Sequence, residues 1–144
     1  MNEENRERTT INVILVEPGQ PARELEMKDN LESMQAVVGG LIEEYMPFED
    51  EVAIICNEEG LINRMPPNRA ILAENGTIEN IIFGPFFICY APIESEKFLS
   101  MPKDLKHKYM EKFKEPEHFF RGKDGLMVIK EVKAKDNYER EDSR

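Results

Sequence analysis

Tryptophan is absent from this chain of 144 residues, and cysteine and histidine occur only twice each. Cys56 and Cys89 both lie in apolar runs, and neither His107 nor His118 is close to them in sequence. A zinc site needs cysteine and histidine at short, clustered spacings, so we expect no metal. Both thiols are predicted to be reduced and buried in the core.

The chain also lacks a long hydrophobic run. No apolar stretch approaches the ~20 residues that a transmembrane helix needs. The first ten residues are polar and only six mostly apolar residues follow, which does not match the layout of a secretory signal. We therefore expect a cytoplasmic protein that does not bind membranes, with a length typical of one domain.

Motifs for common enzyme chemistry are missing as well. Neither G-x-G-x-x-G nor G-x-x-x-x-G-K-[ST] occurs, and Gly39-Gly40 follows a predicted helix, as a helix cap does. Cys89 is predicted to be buried and His107 lies among lysines, so no spacing brings a nucleophile to a base. The sequence therefore predicts a protein that is not an enzyme and that uses no cofactor.

What the chain has in excess is negative charge. Residues 17–60 hold twelve carboxylates and two bases, which accounts for the whole net charge of −10. Such a field repels phosphate backbones, so nucleic-acid binding is not expected, and it suits a basic protein partner. The alternative is a solvated surface that only aids solubility. The residues expected to form an acidic face are Glu43, Glu44, Glu49, Asp50, Glu51, Glu58 and Glu59.

The first half of the chain predicts a strand, a helix and a meander. Residues 11–16 are β-branched on both faces and indicate a central strand, which the turn at 17–19 ends. A helix should follow, with Asp29 and Glu32 as its capping box and Gly39-Gly40 as its end. Strands are expected at 41–47 and 51–56, with a short returning strand at 61–64. Pro66-Pro67 should end that ladder.

The second half predicts a broken strand, a helix and a last strand. Gly84-Pro85 should interrupt the apolar strand of residues 80–90. Ser100 is expected to cap a helix whose apolar stripe is Met101, Leu105, Tyr109 and Phe113. Residues 126–132 are predicted to close the sheet. The fold class is α+β: a single domain at 11–132, largely antiparallel with two helices, between a flexible arm at 1–10 and a disordered tail at 133–144.

The best candidate for a binding site combines the turn after Cys56, the PPNR loop at 66–69 and the break at Gly84-Pro85. The candidates are Asn57, Asn68, Arg69 and Gly84. Pro66-Pro67 stiffen the loop that carries Asn68 and Arg69, and a guanidinium on a rigid loop is suited to grip a carboxylate or phosphate. Arg69 is equally consistent with an internal pair to a carboxylate of the acidic stretch. Asn57 is also explained by a turn in which it bonds its own backbone.

The order of short motifs along the chain resembles a known family. The motifs are EPG at 17–19, GGLIE at 39–43, CNEEG at 56–60, PPNR at 66–69 and GPFF at 84–87. In this order they are similar to the family of domain of unknown function 3846, over roughly residues 11–113. The resemblance implies a protein of phages, plasmids and conjugative elements, mainly in Firmicutes. It supplies no catalytic residue, and it adds Gly60 and Pro67 to the candidates.

Three functions follow as hypotheses. The first is a non-enzymatic accessory protein of a phage or mobile element that binds a basic host or element protein, for example as an anti-restriction or anti-defence factor in the bacterial cytoplasm. The second is a binding or sequestering domain for a small anionic ligand or nucleotide, with a pocket between PPNR and FGPFF. The third is direct nucleic-acid binding through the lysines of 103–114. The sequence leaves the oligomeric state open, with a homodimer as one alternative.

Overall fold

The computed structural model describes residues 10–123, 125 and 127–131, and in them the chain forms two helices and nine strands. The elements in chain order are β1 (Thr10–Val16), β2 (Arg23–Lys28), α1 (Leu31–Val38), β3 (Ile42–Tyr45), β4 (Val52–Asn57), β5 (Pro67–Leu72), β6 (Ile78–Phe83), β7 (Phe86–Tyr90), α2 (Lys103–Lys112), β8 (Glu117–Arg121) and β9 (Met127–Glu131). The predicted α+β class with a mostly antiparallel sheet and two helices is confirmed.

A five-stranded antiparallel sheet with the order β2-β1-β7-β4-β3 forms the centre of the fold. Its inner strands are apolar on both sides, since all six residues of β4 are buried and both faces of β7 are covered. Such two-sided burial needs a layer on each face of the sheet. The remaining strands form two separate hairpins, β5–β6 and β8–β9.

The two faces of the main sheet carry different layers. On one face, Met34 and Val38 of α1 pack against Ile55 and Phe87. We call this the α1 face. The opposite face is covered by α2 with its flanking residues and by the β5–β6 hairpin. The residues from this layer that join the core are Met101, Tyr109, Phe113, Ile71 and Ile82. We call this the α2 face. Since side chains alternate along a strand, neighbouring residues of β3 and β4 point to different layers.

Several predicted elements are confirmed by the structure. The strand at 11–16, the strands at 41–47 and 51–56, and the interrupted strand at 80–90 all form, with small shifts of their ends. Gly39 ends α1 with a left-handed φ of 84° and Gly84 separates β6 from β7 with a φ of 88°. Of the predicted apolar stripe, Met101, Tyr109 and Phe113 are buried, although Met101 precedes α2 and Phe113 follows it.

Other predictions about local structure are wrong. Asn30, and not Asp29, caps α1, because its side chain accepts a hydrogen bond from the N–H of Ser33. Ser100 does not cap α2; its hydroxyl accepts a bond from the N–H of Asn12 instead. Residues 61–64 form a hydrogen-bonded turn and not a strand.

The sheet boundaries also differ from the prediction. Pro67 begins β5 instead of ending a ladder, which the first residue of a strand permits. Strand β9 forms where a closing strand was expected, but it pairs with β8 in its own hairpin. Strands β2 and β8 were not predicted. Residues 1–9 and 132–144, which include nearly all of the predicted arm and tail, lie outside the described residues.

No helix within the described part of the chain is long and apolar enough to cross a membrane.

Candidate functional site

Asn68 lies at the start of β5 and is completely buried. Its side-chain amide donates to the carbonyl oxygen of Val16 at 2.9 Å and to that of Gly84 at 2.8 Å. These bonds join the end of β1 to the turn between β6 and β7. Because buried polar groups are costly when unpaired, the amide holds three segments in one arrangement.

Arg69, the next residue, is also completely buried. Nη1 donates to the carbonyl and side-chain oxygens of Asn68 at 3.2 and 3.0 Å. Nη2 donates to the carbonyl oxygens of Gln20 and Phe113 at 2.6 and 2.9 Å. Phe113 ends α2, so the guanidinium also meets the negative end of the helix dipole. We call Asn68, Arg69 and these partner oxygens the Asn68–Arg69 cluster.

The charge of Arg69 is buried near one carboxylate. Burial lowers the pKa of the Arg69 guanidinium, and the charge of Glu117 acts in the opposite direction. Glu117 also accepts a hydrogen bond from the N–H of Ala70 at 2.9 Å, which ties β8 to β5. Arg69 therefore joins the β1–β2 connection, β5 and the end of α2, and the N–H of the adjacent Ala70 adds the start of β8.

This arrangement corrects both interpretations of Arg69. The guanidinium is not displayed on an exposed loop, and its hydrogen bonds go to main-chain and amide oxygens instead of a carboxylate of the acidic stretch. The prediction of a pocket between PPNR and FGPFF is wrong too. The two segments bond to each other directly, through Asn68 to Gly84 and through the N–H of Gly84 to the oxygen of Pro66 at 2.8 Å.

Asn57 is the third buried polar side chain among the described residues, and its hydrogen bonds also connect parts of the fold. Its amide donates to the carbonyl oxygen of Val38 at 3.1 Å, and its oxygen accepts from the N–H of Glu59 at 2.7 Å. It therefore fixes the end of α1 to the turn after β4. Gly60 in this turn lies so close to β6 that a Cβ atom would be 2.5 Å from the oxygen of Phe83. That close approach accounts for a glycine at this position.

A groove of about 370 Å³ opens between the β3–β4 strands and β6. We call it the β3 groove; its lining includes Glu43, Cys56, Glu58, Leu61, Ile78 and Phe83. The carboxylates of Glu43 and Glu58 form no ion pair with any described residue. Leu61 and Ile78 are 67% and 44% exposed. The groove therefore offers negative charge that the described part of the chain leaves unpaired, beside exposed aliphatic side chains.

The predicted single acidic face is wrong. Glu43 lines the β3 groove on the α2 face, whereas Glu44 lines a different groove with Met46 and Ile93. The alternation of side chains along β3 separates these two carboxylates. Glu49 and Asp50 line a third groove beside α2.

Asp50 is neutralised by the protein itself. One of its oxygens accepts bonds from Lys108 Nζ at 2.6 Å and from the Tyr109 hydroxyl at 2.8 Å. These two bonds lower the pKa of the Asp50 carboxyl, with the lysine contributing most. Glu51 is engaged as well, since its carboxylate accepts from the N–H of Ile93 at 3.2 Å. Of the residues predicted to form the face, Glu43 and Glu58 line the same groove, and Glu59 directly follows Glu58 in the sequence.

The lysines of α2 are also partly occupied. Lys106 pairs with Glu24 at 3.3 Å, Lys108 pairs with Asp50, and Lys112 lies over the ring of Phe48 at 5.2 Å from its centroid. These contacts reduce the positive surface available to a nucleic acid.

Both cysteines are buried free thiols, as predicted. Burial, with a smaller contribution from the charge of Glu43, raises the pKa of Cys56 to about 11. Burial likewise raises the pKa of the Cys89 thiol well above its usual range. A thiol with a raised pKa is a poor nucleophile at neutral pH, so neither side chain suits covalent chemistry. No group of metal-binding side chains is found among the described residues.

Sequence reasoning missed the apolar part of the β3 groove. Leu61 and Ile62 were assigned to a strand, and Ile78 to no element. The signal was present in retrospect: two aliphatic residues directly follow the acidic turn at 58–60 and have no alternating pattern that would bury them. Their exposed fractions of 67% and 76% show that the fold leaves both uncovered.

Comparisons with known proteins identify one family model. It is described as domain of unknown function (DUF3846), and it matches residues 11–114, more than half of the chain. No curated protein and no solved structure matches.

Proposed function

We propose that this chain, which belongs to the DUF3846 family of unknown function, is a protein-binding domain for a basic partner. The β3 groove is the binding site. The observation that carries this proposal is two carboxylates, Glu43 and Glu58, that form no ion pair with any described residue. They lie beside the exposed side chains of Leu61 and Ile78.

Aliphatic and acidic groups in one groove suit a partner with complementary groups. Exposed aliphatic side chains gain free energy when a partner covers them, at roughly 25 cal/mol per Å². The carboxylates favour lysine or arginine and disfavour an anionic ligand such as a nucleotide. A basic protein segment therefore suits the groove better than a small anionic ligand does.

The biological setting belongs to the same proposal. The domain acts as an accessory protein of a phage or mobile element in the bacterial cytoplasm, and its partner is a host or element protein with a basic surface. A partner that uses this surface to hold nucleic acid would be blocked, as in anti-restriction or other anti-defence activity. The net charge of −10 supports the idea, because it steers basic partners toward the domain.

The probe for this proposal is an acetylated and amidated heptapeptide of alternating lysine and valine. We expect it to bind weakly, with an affinity that falls as salt is raised, and the glutamate–valine counterpart not to bind. The double variant Glu43→Gln/Glu58→Gln should weaken binding about 3- to 10-fold, because each partly exposed charge pair contributes up to about 1 kcal/mol. Fluorescence anisotropy of a labelled peptide measures the affinity.

The matched control is Glu26→Gln/Glu32→Gln, which removes the same net charge from exposed sites on β2 and α1. The control should change the affinity by less than about twofold. Equal losses in the two double variants would mean that net charge alone attracts the peptide, and the β3 groove would not be the site.

A further inference from the structure

Strand β3 is an edge of the main sheet, with β4 on one side and no strand on the other among the described residues. The N–H of Glu58 donates to the oxygen of Leu41 at 2.8 Å, which makes 41 and 58 a hydrogen-bonded pair. In an antiparallel ladder such pairs alternate with non-bonded ones, and Ile42 is opposite Asn57. The backbone N–H and C=O groups of Ile42 and Glu44 therefore point away from β4.

The side chains beside this edge lie on both faces of the sheet. Glu43 reaches the β3 groove, while Glu44 reaches a groove of about 380 Å³ that Met46 and Ile93 also line. Met46 and Ile93 are exposed. A strand added beside β3 would place successive side chains alternately toward the two grooves. Each groove offers it a carboxylate and aliphatic surface.

A second copy of the chain is a poor occupant of this edge. Antiparallel pairing of β3 with itself would bring Glu43 and Glu44 of one copy next to those of the other, and like charges on paired strands are destabilising.

The opposite edge of the main sheet, β2, differs from β3 in charge because its sequence RELEMK carries two bases and two acids. Two of these groups are paired within the chain, Arg23 with Glu17 and Glu24 with Lys106.

We propose that β3 binds an extended segment of another protein, with lysine or arginine at alternate positions, as a sixth strand of the main sheet. The segment bonds to the outward backbone groups of Ile42 and Glu44. Its basic side chains all lie on one face of the added strand, where they meet the carboxylates of Glu43 and Glu58 in the β3 groove. Backbone pairing supplies affinity and the flanking grooves supply selectivity. This inference rests on the proposed function and adds the mode of binding.

The first test compares Glu44→Pro with Glu44→Gln, using the lysine–valine heptapeptide. Both variants remove the charge of Glu44, but only proline removes its outward N–H, and an edge strand tolerates proline where the N–H faces away from the ladder. We expect Glu44→Pro to weaken binding about 5- to 10-fold beyond Glu44→Gln. Equal affinities in two folded variants would overturn the inference.

The second test leaves the protein unchanged and modifies the peptide. One heptapeptide is N-methylated at its lysines and the other at its valines. In an added strand only every second N–H faces β3, so one pattern should lose binding at least 10-fold more than the other. Equal effects of the two patterns would overturn strand addition even if Glu44→Pro does not fold.

These outcomes separate the inference from the proposed function. Binding that depends on Glu43 and Glu58 but is equal for both methylation patterns would retain the basic partner and reject the added strand. Absence of any binding by the unmodified lysine–valine peptide would reject both. A dimer in sedimentation equilibrium that Glu44→Pro dissociates would identify a second copy as the occupant and overturn the choice of a basic segment.

Discussion

Replacing Arg69 with methionine should lower the free energy of unfolding by about 3–5 kcal/mol. Methionine retains most of the aliphatic bulk but donates no hydrogen bond, so the oxygens of Gln20 and Phe113 lose the donor Nη2, which lies 2.6 and 2.9 Å from them. An unsatisfied buried acceptor costs about 1–3 kcal/mol. Arg69→Lys should also destabilise the fold, because an ammonium cannot reproduce the planar fork. Urea denaturation followed by circular dichroism measures the change.

Arg23→Met is the matched control for this substitution. Arg23 is exposed and pairs with Glu17 at 3.4 Å. Since exposed ion pairs contribute little, this variant should lie within about 1 kcal/mol of the wild type. A loss of less than about 1 kcal/mol for Arg69→Met would contradict the role assigned to the Asn68–Arg69 cluster.

Replacing Asn68 with alanine should cost about 2–4 kcal/mol. The change removes the amide that bonds to the oxygens of Val16 and Gly84, and it leaves a small cavity at a completely buried position. The turn between β6 and β7 would then lose a bond that holds it to β5. The same denaturation experiment measures this loss.

Two comparisons sharpen the Asn68 prediction. Asn80→Ala, at an exposed residue whose side chain accepts a hydrogen bond from the N–H of Ile81, should change the stability by less than about 0.5 kcal/mol. Asn68→Ala/Arg69→Met should cost less than the sum of the single changes, because the residues share a hydrogen bond of 3.0 Å. Strict additivity would show that they act independently.

The parts of the fold that could be predicted from sequence are those with strong local signals. The two-sided apolar run at 11–16 indicated an inner strand, and Gly84-Pro85 indicated the break between β6 and β7. Both signals act within a few residues, so no tertiary information was needed. The stripe from Met101 to Phe113 likewise follows from helical spacing alone.

The errors occur where tertiary contacts decide the outcome. Strand β2 reads RELEMK, and an edge strand with one buried face can carry such charge because its other face and its outer edge meet solvent. Arg69 resembles a surface residue in sequence, since only the assembled fold supplies the oxygens of Gln20 and Phe113 that bury it. Burial of an arginine is rare enough that no local pattern predicts it.

The motifs that carry the family resemblance belong largely to the architecture. PPNR supplies Asn68 and Arg69, GPFF supplies Gly84, and CNEEG supplies Asn57, whose amide fixes the end of α1 at 3.1 Å. In this chain these segments hold layers and turns together. The candidate binding surface at the outer edge of β3 overlaps two of the motifs, since GGLIE supplies Ile42 and Glu43 and CNEEG supplies Glu58.

The most direct test of this division between architecture and binding surface is an amide chemical-shift titration of the ¹⁵N-labelled protein with the lysine–valine heptapeptide. The account predicts shifts concentrated at Ile42, Glu44, Glu58 and Leu61, with little change at Asn68 and Arg69. Shifts concentrated at Asn68, Arg69 and Gly84, with β3 unaffected, would contradict it.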